Sequence, residues 1–274
     1  MAFNGETIAF IGAGVMGEAI IAGLLRQRLL EARQIIASDP RAEHLEGLRA
    51  KYGIGATTNN VQAAEKADAL VLAVKPQGMD VVLPELSGKV GAARLIVSIV
   101  AGVPLATIAE RLGNPRIVRS MPNTPGQIGQ GITVWTARVE VEAAQRKQAE
   151  KLLGALGEQI YATNEDFLDM ATALSGSGPA YVFMFMEALI DVGVHMGFAR
   201  RDAESLVTQT LLGSVLYARQ SGLHSAQLRN QVTSPGGTTA AALHQMEKGG
   251  LRTVLSEGVW AAYRRSQALG KGGE

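Results

Sequence analysis

The chain has 274 residues, of which 26 are Lys or Arg and 25 are Asp or Glu, so its net charge is +1. This balance provides no broad positive field for nucleic acid or an acidic membrane surface. Cysteine is absent, which excludes disulfides and thiolate chemistry and is typical of a reducing cytoplasm.

The N-terminal segment contains neither a basic region nor an uninterrupted apolar run, because Gly12, Gly14 and Gly17 break the nearest one. We therefore expect a cytoplasmic, globular protein with no targeting or membrane-spanning segment. The length and the 47% hydrophobic content are sufficient for two domains with separate cores.

Short β-branched segments alternate with helical patterns through the first half of the chain. Because they are apolar on both faces, they predict a Rossmann-type, doubly wound α/β fold with a parallel sheet covered by helices. Further strands are expected at 131–135 and 159–163, with a helix from Val139 to a stop at Gly157. The five alternating segments are 7–11, 34–38, 69–74, 95–100 and 116–120.

Beyond Asp166 the pattern is helical, with long periodic runs at 179–197, 202–221 and 250–270. The first of these runs is apolar nearly all round, as in a helix that is buried on several sides. We therefore expect this all-helical half to form a homodimer, the alternative being burial within one monomer. The predicted domains are a dinucleotide-binding domain, 1–165, and a helical substrate-binding and dimerisation domain, 166–274.

A glycine-rich loop follows the first predicted strand and opens a helix, which is the context of a dinucleotide fingerprint. Gly12 permits the tight turn, Gly14 lets backbone N–H groups approach a pyrophosphate, and Gly17 permits close helix packing. The second strand ends at Asp39, which is placed to bind the 2′-hydroxyl of NAD. Ser38 and Arg41 instead suit the additional phosphate of NADP, so the cofactor preference stays open.

Three other strand ends face the same edge of the sheet, where doubly wound folds bind ligands. Lys75 is either a catalytic cation or, with Pro76, a residue that shapes the turn. Asn123 is either a cofactor or substrate contact or a turn residue, and Asn60 is either a ribose contact or a helix cap. The predicted cofactor-binding residues are Gly12, Ala13, Gly14, Val15, Met16, Gly17, Ser38, Asp39, Arg41, Asn60, Ala73, Val74, Lys75, Pro76, Ala101, Gly102, Met121, Pro122 and Asn123.

The segment S-P-G-G-T-T at 234–239 precedes a helical run and combines glycines, a proline and two hydroxyls. A helix N-terminus offers unpaired N–H groups and a partial positive charge, so it can bind a small carboxylate without Arg or Lys. The alternative interpretation is an ordinary loop and helix cap. The four histidines show no metal-ligand spacing, and we expect no metal.

Five motifs together resemble the pyrroline-5-carboxylate reductase family over the whole length of the chain. They are G-A-G-V-M-G, A-V-K-P-Q, M-P-N-T-P, T-A-L-S-G-S-G-P-A-Y and V-T-S-P-G-G-T-T-A, in this order. The resemblance implies reduction of the cyclic imine 1-pyrroline-5-carboxylate to L-proline, the last step of proline biosynthesis. It also implies NADPH as the cofactor, with NADH as an alternative, and a homodimer that assembles into a decamer of five dimers.

The resemblance further implies a site. The nicotinamide lies near Ala101–Gly102 and Met121–Asn123, and the substrate carboxylate meets the N–H groups of Gly237–Thr239. Thr239 places its hydroxyl at the imine nitrogen as the catalytic residue. The two parts of the site can come from different subunits. The implied substrate-binding residues are Glu165, Ser175, Ser177, Gly178, Ser234, Gly236, Gly237, Thr238 and Thr239. For Ser175, Ser177 and Gly178 the alternative is a role only in starting the helix that follows.

Two other functions remain open at this point. A Rossmann dehydrogenase or imine reductase of the 3-hydroxyacid dehydrogenase type would require a base or catalytic lysine, and Lys248 is the one lysine in the second domain before the C-terminal tail. A dinucleotide-sensing module without catalysis would bind the cofactor but not consume it.

Overall fold

The structure is a computed structural model that describes residue 3, residues 5–91 and residues 94–270. The chain divides into two units. The first runs to Ser177 and includes the chain from Ala262 onward, and the second is Gly178–Ala261. The sequence instead suggests a domain boundary between residues 165 and 166, which stays a prediction.

The first unit is built on an eight-stranded sheet with the order β3-β2-β1-β4-β5-β6-β7-β8. Neighbouring strands are parallel except β6 and β7, which are antiparallel. The predicted doubly wound class is therefore confirmed, and the antiparallel pair is a feature that the sequence analysis does not predict. The strands are β1 (Ile8–Ile11), β2 (Ile35–Ser38), β3 (Gly55–Thr57), β4 (Ala69–Leu72), β5 (Leu95–Ser98), β6 (Ile117–Met121), β7 (Gly131–Ala137) and β8 (Gly157–Tyr161).

The central strands are buried on both faces because helices cover each side of the sheet. Phe10 contributes to one core and Ile11 to the other, and neither side chain has accessible surface. Burying a side chain of this size contributes about 1.5–3 kcal/mol to folding. The helices are α1 (Val15–Arg26), α2 (Ala42–Tyr52), α3 (Asn60–Glu65), α4 (Met79–Leu86), α5 (Leu105–Leu112), α6 (Ala143–Gly154) and α7 (Phe167–Ala171).

The strand order reverses between β1 and β4, and this reversal creates a crevice outside the carboxyl ends of the two strands. The loops after β1, β2 and β4 meet there, so the topology alone brings distant parts of the sequence to one edge. The backbone hydrogen bonds from Gly12 to Ser38 and from Ala73 to Ile11, both 2.8 Å, extend the sheet directly into these loops.

The prediction of a helix from Val139 to Gly157 is wrong at both ends. Helix α6 begins at Ala143, because Glu142 and Gln145 form a reciprocal capping box there, and it ends at Gly154. Gly157 instead opens β8 with φ of 135°, a conformation that favours glycine.

The second unit contains helices and no strand, all of its residues being described. The helices are α8 (Gly178–His195), α9 (Arg200–Ser221), α10 (Ser225–Gln231), α11 (Thr238–Lys248) and α12 (Leu251–Gly270), the last of which continues into the first unit. Helices α8 and α9 pack closely, since a Cβ added at Gly193 would lie 3.0 Å from the Cβ of Ala203.

Apolar side chains of the second unit are largely exposed. Within Gly178–Ala261, Ala203 alone is classed as buried, whereas Phe183 and Met184 are 62% and 63% exposed. By length and composition, the helical segment Phe167–His195 would also suffice to cross a membrane. Asp169, Glu187 and Asp191 lie along it. Such exposed apolar surface marks a site of association.

Candidate active site

The glycine-rich loop has the geometry of a dinucleotide turn. Gly12 has φ of 91°, and a Cβ there would lie 2.7 Å from the backbone of Ala73 and Val74. A Cβ at Gly17 would lie 2.6 Å from the carbonyl oxygen of Gly12, so α1 packs tightly on the turn. Gly14 has nothing within 4 Å of its missing Cβ. It is the N-cap of α1, so open space lies where a phosphate could meet the helix N-terminus.

Asp39 at the end of β2 is buried and joins the glycine-rich loop to Arg41. Its Oδ2 accepts hydrogen bonds from the Ala13 N–H at 3.2 Å and from Arg41 Nη2 at 3.0 Å, and its Oδ1 accepts one from Arg41 Nε at 2.8 Å. Burial opposes ionisation of this carboxyl, but the hydrogen bonds from Arg41 and Ala13 outweigh it and lower its pKa. The ionised form therefore stabilises the fold at neutral pH, and this contribution is lost as the pH falls through the folded-state pKa.

Ser38 and Asn60 form a second contact at this edge. The Ser38 hydroxyl donates to Asn60 Oδ1 at 2.7 Å, and Asn60 Nδ2 donates to Glu85 Oε2 at 2.8 Å. The helix-cap alternative for Asn60 is wrong, because Asn59 is the residue that caps α3 by accepting from the Gln62 N–H. Two adjacent asparagines made this choice ambiguous in the sequence.

Residues of the glycine-rich loop and of the segments that follow β2 and β4 line one cleft of about 730 Å³ in the first unit. Lys75, at the turn after β4, is exposed on its wall, and Val81 and Val82 of α4 contribute apolar surface. Predicted cofactor residues that the cleft brings together are Gly12, Gly14, Val15, Ser38, Asp39, Arg41, Asn60, Ala73, Val74 and Lys75. The lining does not include Ala13, Met16, Gly17 or Pro76.

The remaining predicted cofactor residues follow β5 and β6. Ala101 and Gly102 lie in the loop after β5, where Gly102 has φ of 74°. Met121 ends β6 and Pro122 follows it. The Oδ1 of Asn123 accepts a hydrogen bond from the Ile132 N–H at 2.9 Å, so this side chain fixes the connection to β7. That contact favours the turn role among the two alternatives for Asn123.

His44 is a residue at the glycine-rich loop to which the sequence analysis assigned no chemistry. Its Nε2 lies 2.7 Å from the carbonyl oxygen of Ala13, opposite to the Asp39 contact with the N–H of the same residue. The peptide groups on both sides of Ala13 are thereby held from α2 and β2. Its sequence signal is weak, since a single histidine on a polar helix has many explanations.

Arg119 is the functional candidate that sequence reasoning missed. It lies in β6 with a side chain that is 6% exposed, and its Nη1 is 2.7 Å from Glu165 Oε1. Asp169 is 3.9 Å from the same guanidinium. An arginine within the apolar strand I-V-R-S-M was a signal, because buried charges require partners.

The S-G-S-G motif begins on a turn of π-helix, Thr172–Gly176. Ser175 donates its hydroxyl to the Ala171 carbonyl at 3.0 Å, which is a contact within the helix. A Cβ at Gly176 would lie 2.8 Å from Met121 Cε, so this glycine permits the motif to approach the end of β6. Ser177 is the last residue of the first unit before the chain enters the second, and Gly178 opens α8.

In the second unit, S-P-G-G-T-T forms a turn that leads into α11. Gly236 has φ of 71°, and Gly237 is the N-cap and donates its N–H to the Ser234 carbonyl at 3.0 Å. No side chain caps this helix. Thr238 and Thr239 are its first two residues, with Thr238 exposed and Thr239 half-buried. The loop therefore presents helix N–H groups and hydroxyls together.

The described residues suit a dinucleotide. The open space beside Gly14 at the N-terminus of α1 suits a pyrophosphate. The Asp39–Arg41 pair suits the ribose hydroxyl or its phosphate. Among the described residues no group of three or more His, Cys, Asp or Glu could hold a metal ion. The fold and the cleft define a protein of the Rossmann oxidoreductase class.

Comparisons with known proteins agree. Residues 165–269 match the family model described as pyrroline-5-carboxylate reductase dimerisation, and residues 7–102 match one described as NADP oxidoreductase, coenzyme F420-dependent. A pyrroline-5-carboxylate reductase of Pseudomonas aeruginosa is 43% identical and covers 96% of each chain. One of Synechocystis is 42% identical over 96% of this chain and 98% of its own.

Among solved structures, the Plasmodium falciparum pyrroline carboxylate reductase with NADP bound has a TM-score of 0.89. It is 31% identical and covers 97% of this chain and 98% of its own. The chain belongs to the pyrroline-5-carboxylate reductase family.

Proposed function

We propose that the chain reduces 1-pyrroline-5-carboxylate to L-proline with NADPH, NADH being an alternative donor. The residues that line the cleft would hold the dinucleotide, which would supply a hydride to the imine carbon, while the imine nitrogen would gain a proton. The observation that carries this proposal is near-complete coverage of the chain by reductases at 42–43% identity. It accounts for both halves of the chain together, whereas the glycine-rich loop alone would fit many dehydrogenases.

The residues of the loop before α11 suit the substrate. The N–H groups at Gly237–Thr239 can hold the carboxylate at the positive end of α11, which has no capping side chain to displace. The Thr239 hydroxyl can hydrogen-bond the nitrogen as its charge changes. Since the imine is already electrophilic, positioning is the main task, and it can contribute up to about 7–11 kcal/mol.

The direct test is to follow absorbance of the reduced nicotinamide with purified protein, with and without 1-pyrroline-5-carboxylate, and to identify proline as the product. Oxidation that depends on the imine supports the proposal. Binding of either dinucleotide without turnover would contradict it and favour a dinucleotide-sensing module. Turnover with a 3-hydroxyacid but not with the imine would favour the dehydrogenase alternative.

Arg41 is expected to determine the preference for NADPH. Both carboxylate oxygens of Asp39 already accept hydrogen bonds from Arg41 and Ala13. Asp39 therefore orients the guanidinium and is not available to a ribose hydroxyl. Arg41→Ala should raise the KM for NADPH by about tenfold or more, because it removes charge-assisted hydrogen bonds to a phosphate. The KM for NADH should change by less than about twofold.

Steady-state kinetics with both cofactors measure this difference. Arg33→Ala is a matched control, because Arg33 is also an exposed arginine paired with a nearby carboxylate, Glu31. An equal rise of the KM for NADPH and for NADH in Arg41→Ala would show that the residue does not recognise the additional phosphate of NADPH.

We further propose that the chain forms a homodimer through a helical domain of residues 166–274, and that five dimers make a decamer. The exposed apolar side chains of α8 and α9 would be covered by another apolar surface, and a second copy of the same helices provides one. The family model for residues 165–269 carries dimerisation in its description. We propose a cytoplasmic location, which cell fractionation can test.

Phe183→Asp should shift the protein toward the monomer, because it places a charge on an apolar face that is 62% exposed in the single chain. Sedimentation velocity measures the change. Val139→Asp is the matched control, since Val139 is 87% exposed on the first unit. A Phe183→Asp protein that sediments like the unmodified one would contradict a dimer through α8.

A further inference from the structure

An ionic cluster around one buried arginine in the first unit lies beside the loop that follows β5, between Ile99 and Pro104. Its centre is Arg119, whose neighbours in β6 include the fully buried Val118. The guanidinium meets Glu165 at 2.7 Å and approaches Asp169 at 3.9 Å. A buried arginine of this kind requires partners of opposite charge, so the three side chains form one ionic network.

Glu165 also fixes the far end of the loop. The Oε1 atom that meets Arg119 accepts a hydrogen bond from the Leu105 N–H at 2.8 Å. Leu105 is the first residue of α5, and a carboxylate at a helix N-terminus is favoured by the unpaired N–H groups and the helix dipole. Pro104 precedes it as the N-cap. The loop is therefore tied at this end to β6.

The end of α12 holds the other side of the loop and belongs to the same unit. The buried Ser266 hydroxyl donates to Asp169 Oδ1 at 2.7 Å. A Cβ added at Gly102 would lie 3.3 Å from the Cβ of Leu269, so the helix end closely approaches the loop. A cavity of about 290 Å³ separates these parts and is lined by Pro104, Arg119, Glu165, Asp166, Asp169, Gln267 and Gly270.

We propose that Arg119 and Glu165 are positioning residues that hold the 99–104 loop in the form required for hydride transfer. The inference rests on the proposed function, which puts the nicotinamide against Ala101 and Gly102. The two side chains act through the Leu105 N–H and the loop backbone. In this proposal Glu165 acts on the loop and does not contact the substrate, in contrast to the role that the family resemblance implies.

Glu165→Gln is the most informative variant, because it keeps the size of the side chain and an acceptor oxygen but removes the charge opposite Arg119. We expect kcat to fall by about tenfold, since small misplacements of reacting groups are costly. The KM for 1-pyrroline-5-carboxylate should stay within about threefold. With NADPH deuterated at the transferred position, the isotope effect on kcat should rise, as hydride transfer becomes slower than the other steps.

Arg119→Lys should reproduce this pattern. The kcat of the double variant should fall no further than that of the worse single variant, because both changes break the same ion pair. Glu165→Asp should recover part of kcat by restoring the charge. A purely structural role would lower the active fraction without changing the isotope effect. That outcome, or additive losses, would overturn the proposal.

A readout independent of turnover uses amide hydrogen exchange of a peptide spanning residues 99–105. We expect the Leu105 amide to exchange about tenfold faster in Glu165→Gln than in the unmodified chain, with or without NADPH. Unchanged exchange would overturn the proposal. A raised KM for the imine with unaltered kcat and isotope effect would instead identify Glu165 as a substrate contact. Failure of the unmodified protein to reduce the imine would contradict the proposed function, while the exchange result would still test the loop.

Ser266→Ala provides a milder second variant in case Glu165→Gln folds poorly. It removes one hydroxyl donor to Asp169 and leaves Glu165 and Arg119 in place. Faster exchange in the same peptide and a higher isotope effect, both smaller than in Glu165→Gln, are expected. No change in either quantity would remove α12 from the network and overturn the part of the proposal that joins it to the loop.

Discussion

Replacing Thr239 with alanine is expected to lower kcat for imine reduction by between about tenfold and two-hundredfold, which corresponds to about 1.4–3 kcal/mol of transition-state stabilisation. The physical reason is the loss of a hydroxyl at the imine nitrogen, where charge changes during the reaction. Thr239 is the second residue of α11 and is half-buried. Steady-state kinetics at saturating cofactor measure the effect.

Two variants control for this interpretation. Thr239→Ser keeps the hydroxyl and should retain most of kcat, whereas Thr253→Ala removes an exposed threonine elsewhere in the helical unit and should leave kcat unchanged. A loss of less than about twofold in Thr239→Ala would exclude the hydroxyl from catalysis. Equal losses in the alanine and serine variants would point instead to packing of the methyl group.

Replacing Gly12 with alanine should have the largest effect on the first unit. The residue has φ of 91°, and the new Cβ would lie 2.7 Å from backbone atoms of Ala73 and Val74 that cannot move independently. Backbone strain and overpacking together should lower the free energy of unfolding by about 2–5 kcal/mol. Denaturant unfolding measures this loss, and a fluorescence titration with NADPH should detect no binding in the concentration range of the unmodified protein.

Gly14→Ala is the matched control, because the same methyl group enters open space at φ of −67°. Its unfolding midpoint should equal that of the unmodified protein, but the Kd for NADPH should rise by about tenfold or more, since the methyl group fills the space for the pyrophosphate. Normal cofactor binding by Gly14→Ala would contradict the location of the pyrophosphate. Unchanged stability of Gly12→Ala would contradict the close contact with the turn after β4.

The glycine-rich turn after β1 could be predicted from the sequence because its determinants are local. A strand, a turn that requires glycine and a helix follow one another within residues 8–26. The acidic residue at the end of β2 follows from the same motif. Parallel pairing then brings the ends of β1, β2 and β4 together without further information from side chains.

The sequence did not predict the contacts that join distant elements. Arg119 and Glu165 are separated by 46 positions, and periodicity shows that Arg119 is in a strand without indicating its partner. The antiparallel β6–β7 pair likewise depends on the turn of the segment around Asn123. In this turn Asn123 Oδ1 accepts a hydrogen bond from the Ile132 N–H. The helix stop assigned to Gly157 was wrong for a related reason, because glycine can end a helix or open a tightly paired strand.

The near absence of a core in Gly178–Ala261 has a thermodynamic consequence for the proposed dimer. Burial of apolar surface supplies most of the favourable free energy of folding, and here that burial would come from association between chains. The stability of this region would then depend on total protein concentration, and dilution would favour its unfolding even at constant temperature. The first unit has its own cores on both faces of the sheet, so it would remain folded at dilutions where the second unit does not.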